Sequence, residues 1–255
     1  MTLAGLFCVE GLSVLRFDFR GCGESIDTNP RGKMLCAAEW PEDVYNAAVF
    51  ESSTECNNPG RIVLLGVSRG DAAVLSALKY IEDVAAAVAT ALVANGHRFL
   101  WDLWINGRGQ PEWEAFYERV LAERTKRVRR NVDEFVGVET VLAFPEADLE
   151  VWRTATAGFP LAATEASFSS VEEILFRLDT PAALEVCKRI PILFVHGTSD
   201  TLVAHEGTQS VWAGYAGPKD LMLVQGKPHG LLLEPDCAVC ASQLVDWVKS
   251  KADPI

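Results

Sequence analysis

The sequence predicts an α/β fold: a mostly parallel sheet with helices on both faces, plus a helical insertion. Three observations carry this expectation. Short apolar runs at residues 62–65, 84–93, 191–197 and 221–226 alternate with stretches of helical period, the pattern of consecutive βαβ units. Most of these runs are continuously apolar, with β-branched members, as in strands covered on both faces. Between residues 95 and 189 the period changes, and Trp101, Trp104, Trp113, Phe116, Tyr117 and Trp152 are concentrated there. Residues 1–94 and 190–255 are therefore read as the core, and 95–189 as the insertion.

Taken in order, residues 3–12 read as the tail of a helix ending at Gly11. Ser13 to Asp18 reads as a strand, followed by Arg20-Gly21-Cys22-Gly23-Glu24-Ser25. That loop fails as a nucleotide-binding fingerprint, because it has no third glycine and no helix directly after it. Asp18 and Arg20 are expected to satisfy loop backbone or each other. Residues 41–50 read as an amphipathic helix, and Asn57-Asn58-Pro59-Gly60 as the turn that ends the connection.

The stretch from Arg61 to Leu78 organises the rest. Ile62-Val63-Leu64-Leu65 reads as a buried strand, Gly66-Val67-Ser68-Arg69-Gly70 follows, and an Ala- and Leu-rich helix comes next. Strand, G-x-S-x-G and helix form a nucleophile elbow. The sharp turn holds the serine in a strained conformation, and the glycines let neighbouring backbone pass close by. The helix that follows points its positive end at the same spot.

Residues 84–93 read as a further strand, although the alanines make a helix acceptable. Pro111 suits a first helical turn, with the helix running to Arg130. Ser170-Val171-Glu172-Glu173 matches a capping box that opens another helix. Residues 124–130 hold five basic side chains; a solvated helix face is the main reading, and selection of an anionic substrate the second. Residues 191–197 form a strand, 208–216 a helix, 221–226 the last strand and 242–251 the closing helix. The aromatics of the insertion either build its own core or line a substrate pocket.

The formal net charge of −12 and pI near 4.8 argue against a general binder of nucleic acid or anionic membrane. No apolar run reaches the roughly 18 residues of a membrane span. The N-terminus lacks a basic region and a cleavage site, so it does not read as a secretory signal. The seven cysteines read as mostly reduced thiols of a cytoplasmic protein. Cys237 and Cys240 form a lone C-x-x-C, read as two thiols one helical turn apart rather than a metal site.

The elbow, the Val14-Leu15-x-x-Asp18 strand and the Arg20-Gly21-x-Gly23-x-Ser25 loop together resemble the α/β-hydrolase superfamily, in particular cap-bearing bacterial serine hydrolases of the esterase kind. The resemblance covers most of the chain from about Gly11 onward. It implies the α/β-hydrolase fold with residues 95–189 as a helical cap. It also implies the chain order nucleophile, acid, base, which falls on Ser68, Asp200 and His229. Each follows a predicted strand, and parallel strands bring those ends to one edge of the sheet. Of the four histidines, His97 lies at the insertion boundary and His205 at a helix start. His196 lies at a strand end, in a V-H-G followed by a nearby Asp, a pattern common as a structural feature of the superfamily. Asp220 is the fallback acid.

The backbone N–H of Arg69 is the expected oxyanion donor, and its side chain is expected to reach a substrate carboxylate or a neighbouring acid. Asp71, where the family has a small residue, is expected as a carboxylate at the helix start. No cofactor and no metal is implied. The expected activity is hydrolysis of a carboxylic ester or thioester of a small-molecule acyl substrate. An acyltransferase, a peptidase and a catalytically impaired ligand-binding homologue are the alternatives. The resemblance also implies three further strands upstream of the helix ending at Gly11, one of which leads to the second oxyanion donor. The sequence is therefore expected to be an incomplete stretch of a longer enzyme, with a reduced homologue as the alternative. The oligomeric state is not read from the sequence.

Overall fold

The computed structural model describes residues 3–28, 38–53, 61–81, 83–144, 149–150, 153, 164–187, 190–232 and 238–252. The expected turn at Asn57-Asn58-Pro59-Gly60, together with Trp152 and Cys237, lies outside them. In chain order the elements are α1 (Leu3–Val9), a 3-10 turn (Gly23–Thr28), α2 (Trp40–Ser52), β1 (Val63–Val67), α3 (Arg69–Ala77) and β2 (Ala86–Thr90). Then come α4 (Gly96–Gly107), α5 (Gln110–Arg130), β3 (Phe135–Gly137), α6 (Val138–Leu142), β4 (Glu165–Ser167) and α7 (Phe168–Arg177). The chain continues with α8 (Thr180–Glu185), β5 (Ile192–Gly197), α9 (His205–Gly214), β6 (Lys219–Val224) and α10 (Ala238–Ala252).

The chain divides into two compact units. The first comprises Met1–Phe17, Pro41–Ala94 and Asp179–Ile255. Its sheet has the order β1-β2-β5-β6, with every neighbouring pair parallel. Side chains alternate across β5, as the pleat requires. Leu193 and Val195 enter a core with Phe7 of α1, Val88 of β2 and Leu244, Val245 and Val248 of α10. Phe194 meets Tyr215, and His196 meets Thr208 of α9, on the opposite face. Helices thus cover both faces, and every residue of β2 is buried. The alanines of β2 form a strand rather than a helix because they are paired on both sides, by β1 and β5; tertiary pairing overrides their helical preference.

One expected strand is absent. Residues 12–19 form no ladder among the described residues, and Val14, Leu15 and Phe17 are substantially exposed. A β-rich sequence becomes a strand only where its N–H and C=O groups find a partner strand, and here they do not.

The second unit comprises Asp18–Trp40 and Asn95–Leu178. Its core is aromatic. Trp104, Trp113 and Phe116 are buried, with Trp104 stacked on Phe116 at 4.3 Å and donating its indole N–H to the Val141 carbonyl. The basic run on α5 is largely occupied: Arg127 bonds Glu172 at 2.7 Å, Arg124 approaches it at 3.6 Å, and Lys126 bonds Glu123. The expected capping box is corrected. The N-cap of α7 is Ser167, whose hydroxyl accepts from the Ser170 N–H, so Ser170 and Glu173 lie inside the helix. Asp18 accepts the Glu24 N–H, and Trp40 stacks on Phe19 and donates to the Arg20 carbonyl. The R-G-x-G-x-S loop is held structurally, in line with its expected role.

Candidate active site

At the elbow, β1 ends at Val67 and α3 begins at Arg69, so Ser68 alone makes the turn. Its backbone has φ 57° and ψ −125°, a conformation that costs on the order of 1–3 kcal/mol for a residue with a Cβ. Two backbone bonds hold it: Ser68 N–H donates to the Thr90 carbonyl at 2.8 Å, and Asp71 N–H donates to the Ser68 carbonyl at 3.1 Å. Gly66 is required because a Cβ there would overlap the backbone of Asp71.

The acid and the base come from neighbouring strand exits. Asp200 follows β5, and His229 follows β6. These loops are stitched together. Thr198 N–H donates to the Val224 carbonyl, Ser199 N–H to the Lys227 carbonyl, and the Thr198 hydroxyl to Gln225, while Gly226 N–H donates back to that hydroxyl. Gly197 admits this approach, since a Cβ there would overlap the Lys227 carbonyl.

The result is a continuous chain of bonds. His229 Nε2 lies 3.0 Å from Ser68 Oγ, and His229 Nδ1 lies 2.8 Å from Asp200 Oδ2. Asp200 Oδ1 accepts the Leu202 and Val203 N–H groups at 2.9 Å each. The Asp200 side chain is fully buried and the His229 ring is partly open to solvent. Burial alone would raise the Asp200 pKa; the bonds from His196, His229 and the Val203 amide outweigh it and hold the carboxyl well below the usual carboxylate range. An ionised Asp200 fixes the proton of His229 on Nδ1 and leaves Nε2 to accept from the Ser68 hydroxyl. The arrangement can withdraw a proton from Ser68 as its oxygen attacks an electrophile.

Two further residues join this chain of bonds: His196, expected only as part of a structural pattern with a nearby Asp, and Thr208, which the sequence did not single out. His196, fully buried, places Nε2 3.0 Å from Asp200 Oδ2 and 3.0 Å from the Val203 carbonyl. Thr208, also fully buried, places its hydroxyl 2.6 Å from His196 Nδ1. The V-H-G signal pointed to structure only. The contact depends on how the chain folds back between residues 196 and 208, which no local pattern encodes.

Asp71 departs from expectation. It is fully buried, and neither carboxyl oxygen meets a donor at full hydrogen-bond geometry. Burial raises its pKa well above the ordinary value, offset only in part by the nearby Ala72 and Val93 amides. Burial thus favours the neutral acid over a carboxylate facing the serine. The fallback acid Asp220 accepts the Trp247 indole N–H at 2.8 Å. His205 pairs with Glu206, and His97 packs edge-on against Trp113 and Tyr117 in the second unit. Arg69 begins α3, where first-turn N–H groups have no partner within the helix. Among the described residues no cluster of three or more His, Cys, Asp or Glu could hold a metal, and no helix is long and apolar enough to cross a membrane.

A parallel sheet with helices on both faces, and an elbow serine at its strand exits, make this an α/β hydrolase. Residues 1–236 match the serine aminopeptidase, S33, family, and the chain belongs to it. It is similar to an uncharacterized 31.7 kDa protein of Escherichia coli, from the traX-finO intergenic region, with 26% identity over 86% of this chain and 73% of that one. Among solved structures it is similar to the α/β hydrolase GrgF from Penicillium sp. sh18, at 19% identity and TM-score 0.77, covering 98% of this chain and 83% of that one. A monoacylglycerol lipase from Paleococcus ferrophilus also shares the fold, at 18% identity and TM-score 0.69, covering 98% and 88% of the two chains.

Proposed function

We propose that the protein is a serine hydrolase that cleaves a carboxylic ester or thioester of a small-molecule acyl substrate through an acyl-enzyme on Ser68. The observation that carries this reading is the unbroken path Ser68–His229–Asp200, with bonds of 3.0 and 2.8 Å. His229 Nε2 takes the Ser68 proton as Oγ attacks the carbonyl carbon. The C=O electron pair moves to oxygen, and the Arg69 N–H serves as a donor to that oxyanion. Collapse expels the alcohol or thiol, which leaves with the proton from His229. Water, activated by the same histidine, then cleaves the acyl-serine bond and restores Ser68. Asp200 holds the tautomer and stabilises the imidazolium formed in both halves. The fold shared with a monoacylglycerol lipase supports an ester over an amide. The helical insertion is proposed as the part that selects the acyl group. Reduced thiols at Cys8, Cys22, Cys187 and Cys240 support a cytoplasmic setting.

The test is intact-mass labelling with a fluorophosphonate probe, followed by turnover of p-nitrophenyl esters and aminoacyl anilides. One adduct in wild type and none in Ser68→Ala is the expected result, with esters turned over faster than anilides. Transfer of the acyl group to an added alcohol in preference to water would make it an acyltransferase. A cooperatively melting wild type that takes no adduct would leave a ligand-binding homologue.

A further inference from the structure

The acid of this site is held by more than its catalytic base. Asp200 accepts four N–H groups: Leu202 and Val203 on Oδ1, and His229 and His196 on Oδ2. A carboxylate has about four lone-pair sites, so every one is used. The His196 bond is determined by its own surroundings. Its Nε2 faces the Asp200 carboxylate and the Val203 carbonyl, each at 3.0 Å. Both are acceptors only, so Nε2 must carry a hydrogen. In the neutral ring Nδ1 then accepts from the Thr208 hydroxyl at 2.6 Å. The ring cannot turn over without placing its bare nitrogen against two acceptors. His196, Thr208 and the Asp200 side chain are all fully buried, so water cannot replace the bond.

We propose that His196 is a positioning residue for the triad: its Nε2–H, oriented by Thr208, pins Asp200 Oδ2 in the place where that oxygen meets His229 Nδ1. This deepens the proposed function and rests on it. His196 touches neither substrate nor Ser68; it acts through Asp200. The acid oxygen is thereby divided between two imidazoles, one on the reaction path and one fully buried. His205 of α9 lies ring to ring with His196 at 6.4 Å and itself pairs with Glu206.

The two amide replacements separate hydrogen bonding from filling space. In His196→Gln the side-chain amide reaches the position of Nε2 and restores a donor. In His196→Asn it is shorter, lies near Nδ1, and leaves Asp200 Oδ2 with His229 alone. Misplacing a catalytic group by about 1 Å costs on the order of 10²-fold. Expected results are a ten- to hundredfold fall (about that range by the same argument) in kcat on p-nitrophenyl butyrate for Asn, with KM retained. The acid limb of kcat/KM should move to higher pH, because an unshared carboxylate binds the imidazolium more strongly. The Gln variant should keep both the rate and the limb near wild type. Low-field proton NMR gives a reading independent of turnover. Wild type and Gln should share the resonance that His229→Ala removes, and Asn should shift it. Equal kinetics and equal resonances in Asn and wild type would overturn the inference. So would a Gln variant as impaired as Asn. If Asn does not melt cooperatively, Thr208→Val, which frees the ring to rotate, takes its place under the same criteria. A wild type inert to fluorophosphonate overturns the proposed function instead, and the resonance comparison then decides this inference alone.

Discussion

Asp200 and Asp71 are both buried acids of the first unit, one at the exit of β5 and the other in the first turn of α3. Burial pushes both toward the neutral form. Asp200 meets two imidazole N–H groups and two backbone amides, and is held ionised. Asp71 meets no donor at full geometry among the described residues, and burial pushes its pKa well above the ordinary value. Sequence proximity to the serine therefore says little about charge. The donors that the fold delivers decide it: β5, its exit loop and the β6 exit together bring four to Asp200, where the start of α3 delivers none of good geometry.

The largest break in this contrast is Asp200→Asn. An amide has one acceptor oxygen and one NH2 donor, so either the two imidazoles or the Leu202 and Val203 amides must face that NH2. No negative charge then remains to stabilise an imidazolium, and kcat on p-nitrophenyl butyrate should fall by roughly 10³–10⁴. Stability supplies the second readout. The folded pKa of Asp200 is depressed, so its contribution is complete above the unfolded value of about 3.9 and is lost as pH falls through the folded one. In urea titrations the gap between wild type and Asp200→Asn should be wide and constant from pH 7 down to about pH 4, and narrow as pH falls further toward the depressed folded value.

Asp71→Asn sharpens the contrast with the opposite sign. The folded pKa of Asp71 is raised, so its favourable contribution is complete below about 3.9 and is lost as pH rises toward the folded value. The Asn variant should gain on wild type as pH rises, melting several degrees higher at pH 8 and level with it at pH 4, with the adduct at Ser68 unchanged. A wild type whose relative stability is flat between those pH values would mean that Asp71 finds a donor after all.

A third buried acid extends the series with the smallest effect. Glu172 of the second unit is matched to cations, Arg127 at 2.7 Å and Arg124 at 3.6 Å. The Arg124 side chain is 55% exposed, so solvent screens much of the pair. Glu172→Gln should cost ~1 kcal/mol, read as a fall of a few degrees in Tm with no change in the pH dependence of labelling.

Much of this was legible beforehand. The elbow around Ser68 and the parallel strands follow from apolar runs and from the spacing of glycines, features written locally in the chain, whereas Asp200 and His229 came from the order of nucleophile, acid and base that the resemblance implies. What stayed hidden depends on distant partners. The run at residues 13–18 has strand composition but no strand to pair with among the described residues. Ser170 and Glu173 fit a capping box, yet Ser167 takes the cap three residues earlier, where its hydroxyl is turned toward the Ser170 amide. The charge of Asp71 and the service of His196 to Asp200 are set by what folds against them. A spacing rule registers residue types, not the donors that a fold assembles around them.

The β5 and β6 exits are sewn to each other, yet Ser68 waits in the turn after β1, 161 positions before His229 in the sequence. As the polypeptide leaves the ribosome, the elbow emerges long before Asp200 and His229. Under the proposed mechanism its chemistry starts only when β5 and β6 have added themselves to the sheet. Reactivity toward a serine probe then becomes a clock for the final stage of folding, with a half-made chain chemically silent.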